Sequence, residues 1–162
     1  MQFQLIDRIV AVEPGQALEA TKLLTLAEEY LADHFPTFPV MPGVLMLQAL
    51  VEAGTWLWRL EHDFPYSVTV ARVVRGAKYG SFMEPGRTLS IRVEWVKQPD
   101  ANGLAEFKGR GLVDGVSVVS AQFSLISYNL RDRQPSGAEL DAELIRCWRR
   151  RAAMLQQGGI NR

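Results

Sequence analysis

The sequence predicts an α+β domain: about six mostly antiparallel strands around one buried helix, with a second, amphipathic helix at the C-terminus. Three observations carry that expectation. The stretch Gly43–Leu60, GVLMLQALVEAGTWLWRL, contains no proline and is apolar on almost every side, which marks a helix buried in a core. In Ser90–Trp95 the residues alternate, with Ser90, Arg92 and Glu94 on one side and Ile91, Val93 and Trp95 on the other, the pattern of a sheet with one wet face. Near the C-terminus, Leu140, Leu144, Trp148, Ala152 and Leu155 recur at helical spacing.

The elements follow in order. Phe3–Val12 reads as a strand ended by Glu13-Pro14-Gly15, and Gln16–Thr25 as its partner. A stiff loop, HFPTFPVMPG, feeds the buried helix. Four more strands are expected at Ser67–Ala77, Arg87–Lys97, Leu104–Val113 and Val116–Tyr128, with Asp114-Gly115 as a two-residue hairpin turn. A sheet wrapped around the helix explains why so little of that helix is polar. LRDRQPSG, residues 130–137, reads as a connector. Ser136 and Glu139 spell a capping box for the last helix, and Gly158-Gly159 closes it. The expected division is therefore a body, residues 1–129, and a linker with a basic helix, residues 130–162.

Composition excludes several functions. The chain of 162 residues has 18 Lys+Arg and 18 Asp+Glu, so nucleic acid and anionic membranes are not expected partners. The balance hides an asymmetry: residues 1–127 carry 11 Lys+Arg against 14 Asp+Glu, and residues 128–162 carry 7 against 4. Gln48, Glu52 and Arg59 interrupt the apolar helix, which argues against membrane insertion. The single cysteine, Cys147, excludes an intramolecular disulfide and reads as a half-buried packing residue; with two histidines it argues against a structural zinc site. The opening MQFQLIDRIV shows no signal-peptide pattern, so a reducing, cytoplasmic setting is expected. No nucleophile elbow, P-loop or dinucleotide fingerprint is present, and Gly109-Arg-Gly111 is not followed by a helix.

The informative segment is Asp33–Ala53, DHFPTFPVMPGVLMLQALVEA. Taken alone, His34 beside Phe and Pro reads either as a structural histidine or as a base. Gln48 and Glu52 lie at i and i+4, so they share one face of an otherwise apolar helix. Buried polar groups need partners or a cavity. The N–H groups of Gly43 and Val44 open the helix, where free donors and the dipole favour an oxyanion. A base, an oxyanion site and a polar pair suit proton removal beside a carbonyl. For Glu52 a buried salt bridge, with Arg59 or a strand arginine, stands equally open. Trp56 and Trp58 read as core or dimer packing, and His62 as solvated or capping.

His34-Phe-Pro followed by Pro39-Val-Met-Pro-Gly-Val-Leu45 resembles the signature of the bacterial 3-hydroxyacyl-[acyl-carrier-protein] dehydratases (FabZ/FabA-like), which are hot-dog folds. The likeness extends over residues 4–127, through LIDRIVAVEPGQ, AKYGSFMEPGR (Ala77–Arg87) and FKGRGLVDGVSVVSAQFSLI (Phe107–Ile126). It implies dehydration of a 3-hydroxyacyl thioester to a trans-2-enoyl thioester in fatty acid or related lipid or polyketide synthesis, without metal or other cofactor. His34 would take the α-proton, and Gly43, with Val44, would hold the thioester oxygen. Phe35 and Pro42 would lie against the substrate. The family carries a carboxylate fourteen residues after the histidine and a glutamine one turn later; here these positions are Gln48 and Glu52, as if exchanged. Glu52 would then supply the carboxylate from the next turn, or His34 would perform both proton steps with Gln48 holding the hydroxyl, or the chain would bind acyl thioesters without dehydrating them well. Asp33 and Thr37 also stand where glycine is usual. The implied partners are an acyl carrier protein or CoA thioester and further subunits. A homodimer, a trimer of dimers, or a heterodimer with a catalytic paralogue follows, because the family's histidine and carboxylate come from different subunits. Other readings are a hot-dog thioesterase and a non-catalytic acyl-binding subunit. Arg146, Arg149, Arg150 and Arg151 read either as a docking face for an acidic carrier protein or as the solvated side of the last helix.

Overall fold

The structure is a computed structural model and describes residues 4–157 apart from 36 and 135. Its elements are β1 (Arg8–Glu13), β2 (Ala17–Leu23), α1 (Gly43–Glu61), β3 (Val68–Tyr79), β4 (Thr88–Lys97), β5 (Leu104–Val113), β6 (Val116–Tyr128) and α2 (Gly137–Gln157), with 3-10 turns at Glu29–Leu31 and Leu130–Asp132. Among the described residues the strands form one antiparallel sheet in the order β1-β2-β4-β5-β6-β3. The alternating β4 and its neighbours turn Ile91, Val93, Ala105, Phe107, Phe123 and Leu125 inward. The sheet curves around α1, which touches β2, β3, β4, β5 and β6. This is the expected α+β architecture.

Close approach of helix and sheet depends on glycine at Gly54 of α1. A Cβ there would lie 2.8 Å from the Phe123 ring, closer than real Cβ atoms come. Glycine costs helix propensity at this point, and the contact it permits is between α1 and the middle of β6. Trp56 and Trp58 are both 1% exposed. Trp58 meets Trp95 and Phe107 in an aromatic cluster. Asp114 and Gly115 take the positive φ values of 51° and 81° that the predicted β5–β6 hairpin turn requires.

Several expectations need correction. β1 begins at Arg8, not Phe3. Phe3 lies outside the described residues, and the Leu5 N–H is used by the Glu52 carboxylate instead of a neighbouring strand. The connector is partly built: the Leu130 and Arg131 N–H groups donate to the Asp141 carboxylate, which also accepts from the Ser67 hydroxyl. On α2, Ala152 and Leu155 are buried in the same core as the sheet, whereas Leu140 is exposed and its neighbour Asp141 is the buried residue of that turn. Cys147 is exposed, not half-buried, since it lies on the outer side of α2. Gly158 and Gly159 lie outside the described residues. Among the described residues no helix is long and apolar enough to cross a membrane.

Candidate active site

One face of α1 carries its polar residues from Gln48 to Arg59. Gln48, Glu52, Thr55 and Arg59 lie at i, i+4, i+7 and i+11, a single helical stripe. That stripe floors a cleft of about 430 Å³. Thr69, Val70 and Ala71 of the edge strand β3 form one wall, and Trp148 and Arg151 of α2 form the other. The structure thus brings Gln48 and Glu52 together as expected, with Gln48 exposed in the single chain.

Glu52 is held on several sides. Its Oε2 accepts from the Leu5 N–H at 3.1 Å, and its Oε1 lies 3.4 Å from Trp56 Nε1 and 3.5 Å from Arg151 Nη2. Burial pushes its carboxyl above the ordinary value, outweighing the Leu5 N–H, Arg151, Trp56 and Arg59, which act in the opposite direction. The ion-pair partner is Arg151 of α2, in place of either partner expected from the sequence.

Arg59 differs. It is 6% exposed, its guanidinium stacks 4.0 Å from the Trp148 ring centroid and 5.3 Å from that of Trp56, and it makes no hydrogen bond or ion pair among the described residues. Burial lowers its pKa to about 10; Glu52 opposes the shift and Arg151 adds to it. It remains a cation at neutral pH.

The remaining predicted residues lie on the loop before α1 and at the first turn of that helix. His34 is half-buried, meets Phe35 edge-on with ring centroids 4.5 Å apart, and makes no hydrogen bond or ion pair among the described residues, Asp33 included. Phe35 has a φ of 50°, unusual for a bulky residue and a sign of a constrained loop. The loop is anchored where the Met41 N–H donates to Met83 O at 2.9 Å and where Phe38 meets Phe82. The two segments that carry the family resemblance, around His34 and around Met83, are therefore neighbours in space. Pro42 precedes the helix, and its carbonyl accepts from the N–H groups of Leu45 and Met46. The N–H groups of Gly43 and Val44 are left without an acceptor among the described residues, as helix geometry requires. A Cβ on Gly43 would lie 3.1 Å from the Tyr79 ring, so the end of β3 closes on the helix N-terminus. His34, Gly43 and Val44 do not line the cleft that holds Gln48.

Sequence reading missed Tyr79, Trp148 and Arg151 as site residues. Arg151 was legible in part: on a helical wheel it falls beside the buried stripe of Trp148, Ala152 and Leu155, whereas Arg149 and Arg150 point away. Arg149 pairs with Asp63 at the surface.

Comparison with known proteins identifies relatives in sequence and in fold. The FabA-like domain family matches residues 1–122. A 3-hydroxyacyl-[acyl-carrier-protein] dehydratase FabZ from Anaeromyxobacter sp. (strain Fw109-5) is 40% identical over 136 residues, covering 82% of this chain and 83% of the relative. The enzyme of the same name from Myxococcus xanthus (strain DK1622) is 38% identical over 123 residues, covering 75% and 79%. Among solved structures, the dehydratase heterocomplex ApeI:P from Xenorhabdus doucetiae superposes with a TM-score of 0.65 at 17% identity, covering 78% of this chain and 84% of that one. The Streptococcus mutans UA159 protein smu.793, solved bound to acetyl CoA, gives a TM-score of 0.55 at 16% identity, covering 75% and 87%. These structural likenesses show the shared hot-dog fold.

Proposed function

Because the chain belongs to the FabA-like family, we propose that it removes water from 3-hydroxyacyl thioesters, carried on an acyl carrier protein or CoA, to give trans-2-enoyl thioesters in the cytoplasm. The observation that carries the reading is the pairing of a histidine loop with two free N–H groups at the start of α1, on a helix whose next polar residue is Gln48. His34 takes the proton from the carbon next to the thioester carbonyl. The Gly43 N–H, assisted by Val44, holds the carbonyl oxygen as negative charge develops there. The C–O bond at the third carbon then breaks. The departing hydroxyl, oriented by the Gln48 amide, takes the proton that His34 carries and leaves as water. Phe35 and Pro42 border the reacting end.

An amide orients a hydroxyl but donates no proton as an acid does, so His34 performs both proton steps in this scheme. Glu52 is assigned a supporting part, because Leu5, Trp56 and Arg151 already occupy its oxygens. The family resemblance draws the histidine and the residue at the Gln48 position of one site from different subunits, and His34 is absent from the Gln48 cleft of its own chain. An assembly through β3 accounts for both. That strand is an edge, ten of its twelve residues are exposed, and Val70, Val73 and Val74 are among them. A second copy paired along β3 is the assembly we favour. The exchanged Gln48 favours one other reading: an acyl-binding subunit whose catalytic carboxylate comes from a partner chain.

Purified protein, assayed with 3-hydroxyacyl and enoyl thioesters by ultraviolet absorbance, tests the proposal. Turnover by the wild type and a loss of about 10²–10⁴-fold in His34→Ala are expected. Intact acyl binding with no hydration or dehydration overturns it in favour of the acyl-binding subunit.

A further inference from the structure

The cleft beneath Gln48 contains more positive charge than its own residues neutralise. Two guanidinium groups, Arg59 and Arg151, line it with one carboxylate, Glu52, and that carboxylate lies nearer Arg151. Arg59 is more than nine-tenths buried, its Nε is enclosed without an acceptor, and no described residue bonds to its guanidinium. A buried cation without a partner is costly, and such groups in native structures call for a specific explanation. Stacking on Trp148 and Trp56 offsets part of that cost. These cation–π contacts hold the guanidinium carbon over the rings, and its N–H groups, unbonded to any described residue, can bind a planar, two-oxygen acceptor.

Position says what that acceptor belongs to. Gln48 and Arg59 lie eleven residues apart on one stripe of α1, so about 16 Å separates their levels along the helix. In the dehydration scheme the reacting carbons lie near Gln48, and the cleft leads from there towards Arg59. The group that reaches Arg59 is then the far end of the acyl chain. Around Arg59 the lining includes Thr55, Trp56, Thr69, Trp148 and Arg151, and the aliphatic side chains of the cleft are Val51, Val70 and Ala71. A plain hydrocarbon end would leave the Arg59 donors unpaired and bury them further.

We propose that the Arg59 end of this cleft receives a carboxylate carried at the far end of the acyl chain, and that α2 makes this subsite by supplying Trp148 and Arg151 as its wall. The substrate class is accordingly an acyl thioester with an anionic tail. The inference rests on the dehydratase reading for the direction of the chain, but its test is independent of turnover.

The probes are saturated acyl N-acetylcysteamine thioesters, which cannot be dehydrated, in a series of chain lengths ended either by methyl or by carboxylate. Dissociation constants are read by calorimetry and by the fluorescence of the cleft tryptophans. At one chain length the carboxylate-ended probe is expected to bind the wild type about tenfold or more tightly than its methyl-ended match, the order of a charge-assisted hydrogen-bonded pair. In Arg59→Gln the gap closes while the methyl-ended affinity holds, and Arg59→Lys keeps part of it. Equal affinities for the two ends in the wild type overturn the proposal and need no variant that folds. A gap that is independent of chain length, or that survives in Arg59→Gln, also overturns it. A chain that shows the gap but dehydrates nothing removes the dehydratase reading and leaves the subsite. A chain that dehydrates both kinds of substrate and shows no gap does the reverse.

Discussion

Two arginines of this protein are treated in opposite ways. Arg92, on the outer face of the sheet, is surrounded by carboxylates: Glu13 at 2.7 Å, Glu19 at 2.8 Å and Glu94 at 2.9 Å. The strand register accounts for this, since Glu19 of β2 stands directly across from Arg92 of β4. Arg59, on the inner helix, has no such neighbour in bonding range among the described residues. Solvent screens the first group, so each of its pairs contributes little. Burial makes pairing matter far more for the second. The chain therefore supplies matching charge where it counts least and omits it where it counts most. An omission of that kind fits a site that awaits a ligand better than it fits a structural contact.

The sharpest way to break this contrast is to give the cleft a second carboxylate. Gln48→Glu restores the residue type that the family resemblance implies at that position, and it makes the cleft's charges even. Dehydration is expected to rise by about 10²-fold, the lower range for a positioned acid, with a smaller preference for carboxylate-ended probes. An unchanged rate in a steady-state assay breaks the assignment of Gln48 to the leaving hydroxyl.

The two regions were not equally legible in the sequence. Alternation in Ser90–Trp95 put Arg92 and Glu94 on the solvent side of β4, where they are, because a strand's period of two fixes its faces without knowledge of its neighbours. The polar stripe of α1 was legible for the same local reason, through the spacing of Gln48 and Glu52. What local pattern does not contain is the approach of a distant element. Arg151 lies 99 positions after Glu52, and the contact depends on how α2 is fastened by Asp141 and by the Trp148 Nε1 bond to Ser67 O at 2.9 Å. Tyr79 beside Gly43 is a second case, since β3 crosses to the far edge of the sheet before it returns to the helix start. In the sequence the basic residues Arg146, Arg149, Arg150 and Arg151 read as one face, but they wrap around the helix: Arg151 turns inward and Arg149 outward to Asp63.

Removing each arginine separates the two roles. Arg92→Met leaves Glu13, Glu19 and Glu94 facing each other, with Lys108 as the remaining cation on Glu94. A fall of about 3 °C in melting temperature is expected at low salt, smaller at high salt. Arg59→Met keeps the stem's volume between the two tryptophans and removes an unpaired buried charge, so its melting temperature stays level or rises. Differential scanning calorimetry of the two variants checks this. A larger loss in Arg59→Met than in Arg92→Met makes Arg59 a structural group and undoes the contrast.

The smallest effect is the most specific, because its sign differs between the two regions. Glu94 is held down to about 2 by Lys108 first and Arg92 second, from an ordinary value of 4.5. Its folded-state advantage is complete above pH 4.5 and is lost as pH falls towards 2. Glu52 is raised above 4.5 by burial. Folding favours its protonated form, so it lowers stability above its folded pKa, and that penalty disappears as pH falls through this value towards 4.5. In thermal melts from neutral pH to about pH 3, the wild type is expected to exceed Glu94→Gln at neutral pH by less than about 1 kcal/mol, with a gap that shrinks below pH 4.5. Relative to Glu52→Gln, the wild type gains stability on acidification, and it does so above pH 4.5. A flat comparison for Glu52 means that Arg151 and the Leu5 N–H compensate its burial fully, and slopes of the same sign in both comparisons mean that they outweigh it. The cleft then has one free cation and no strained carboxylate beside it.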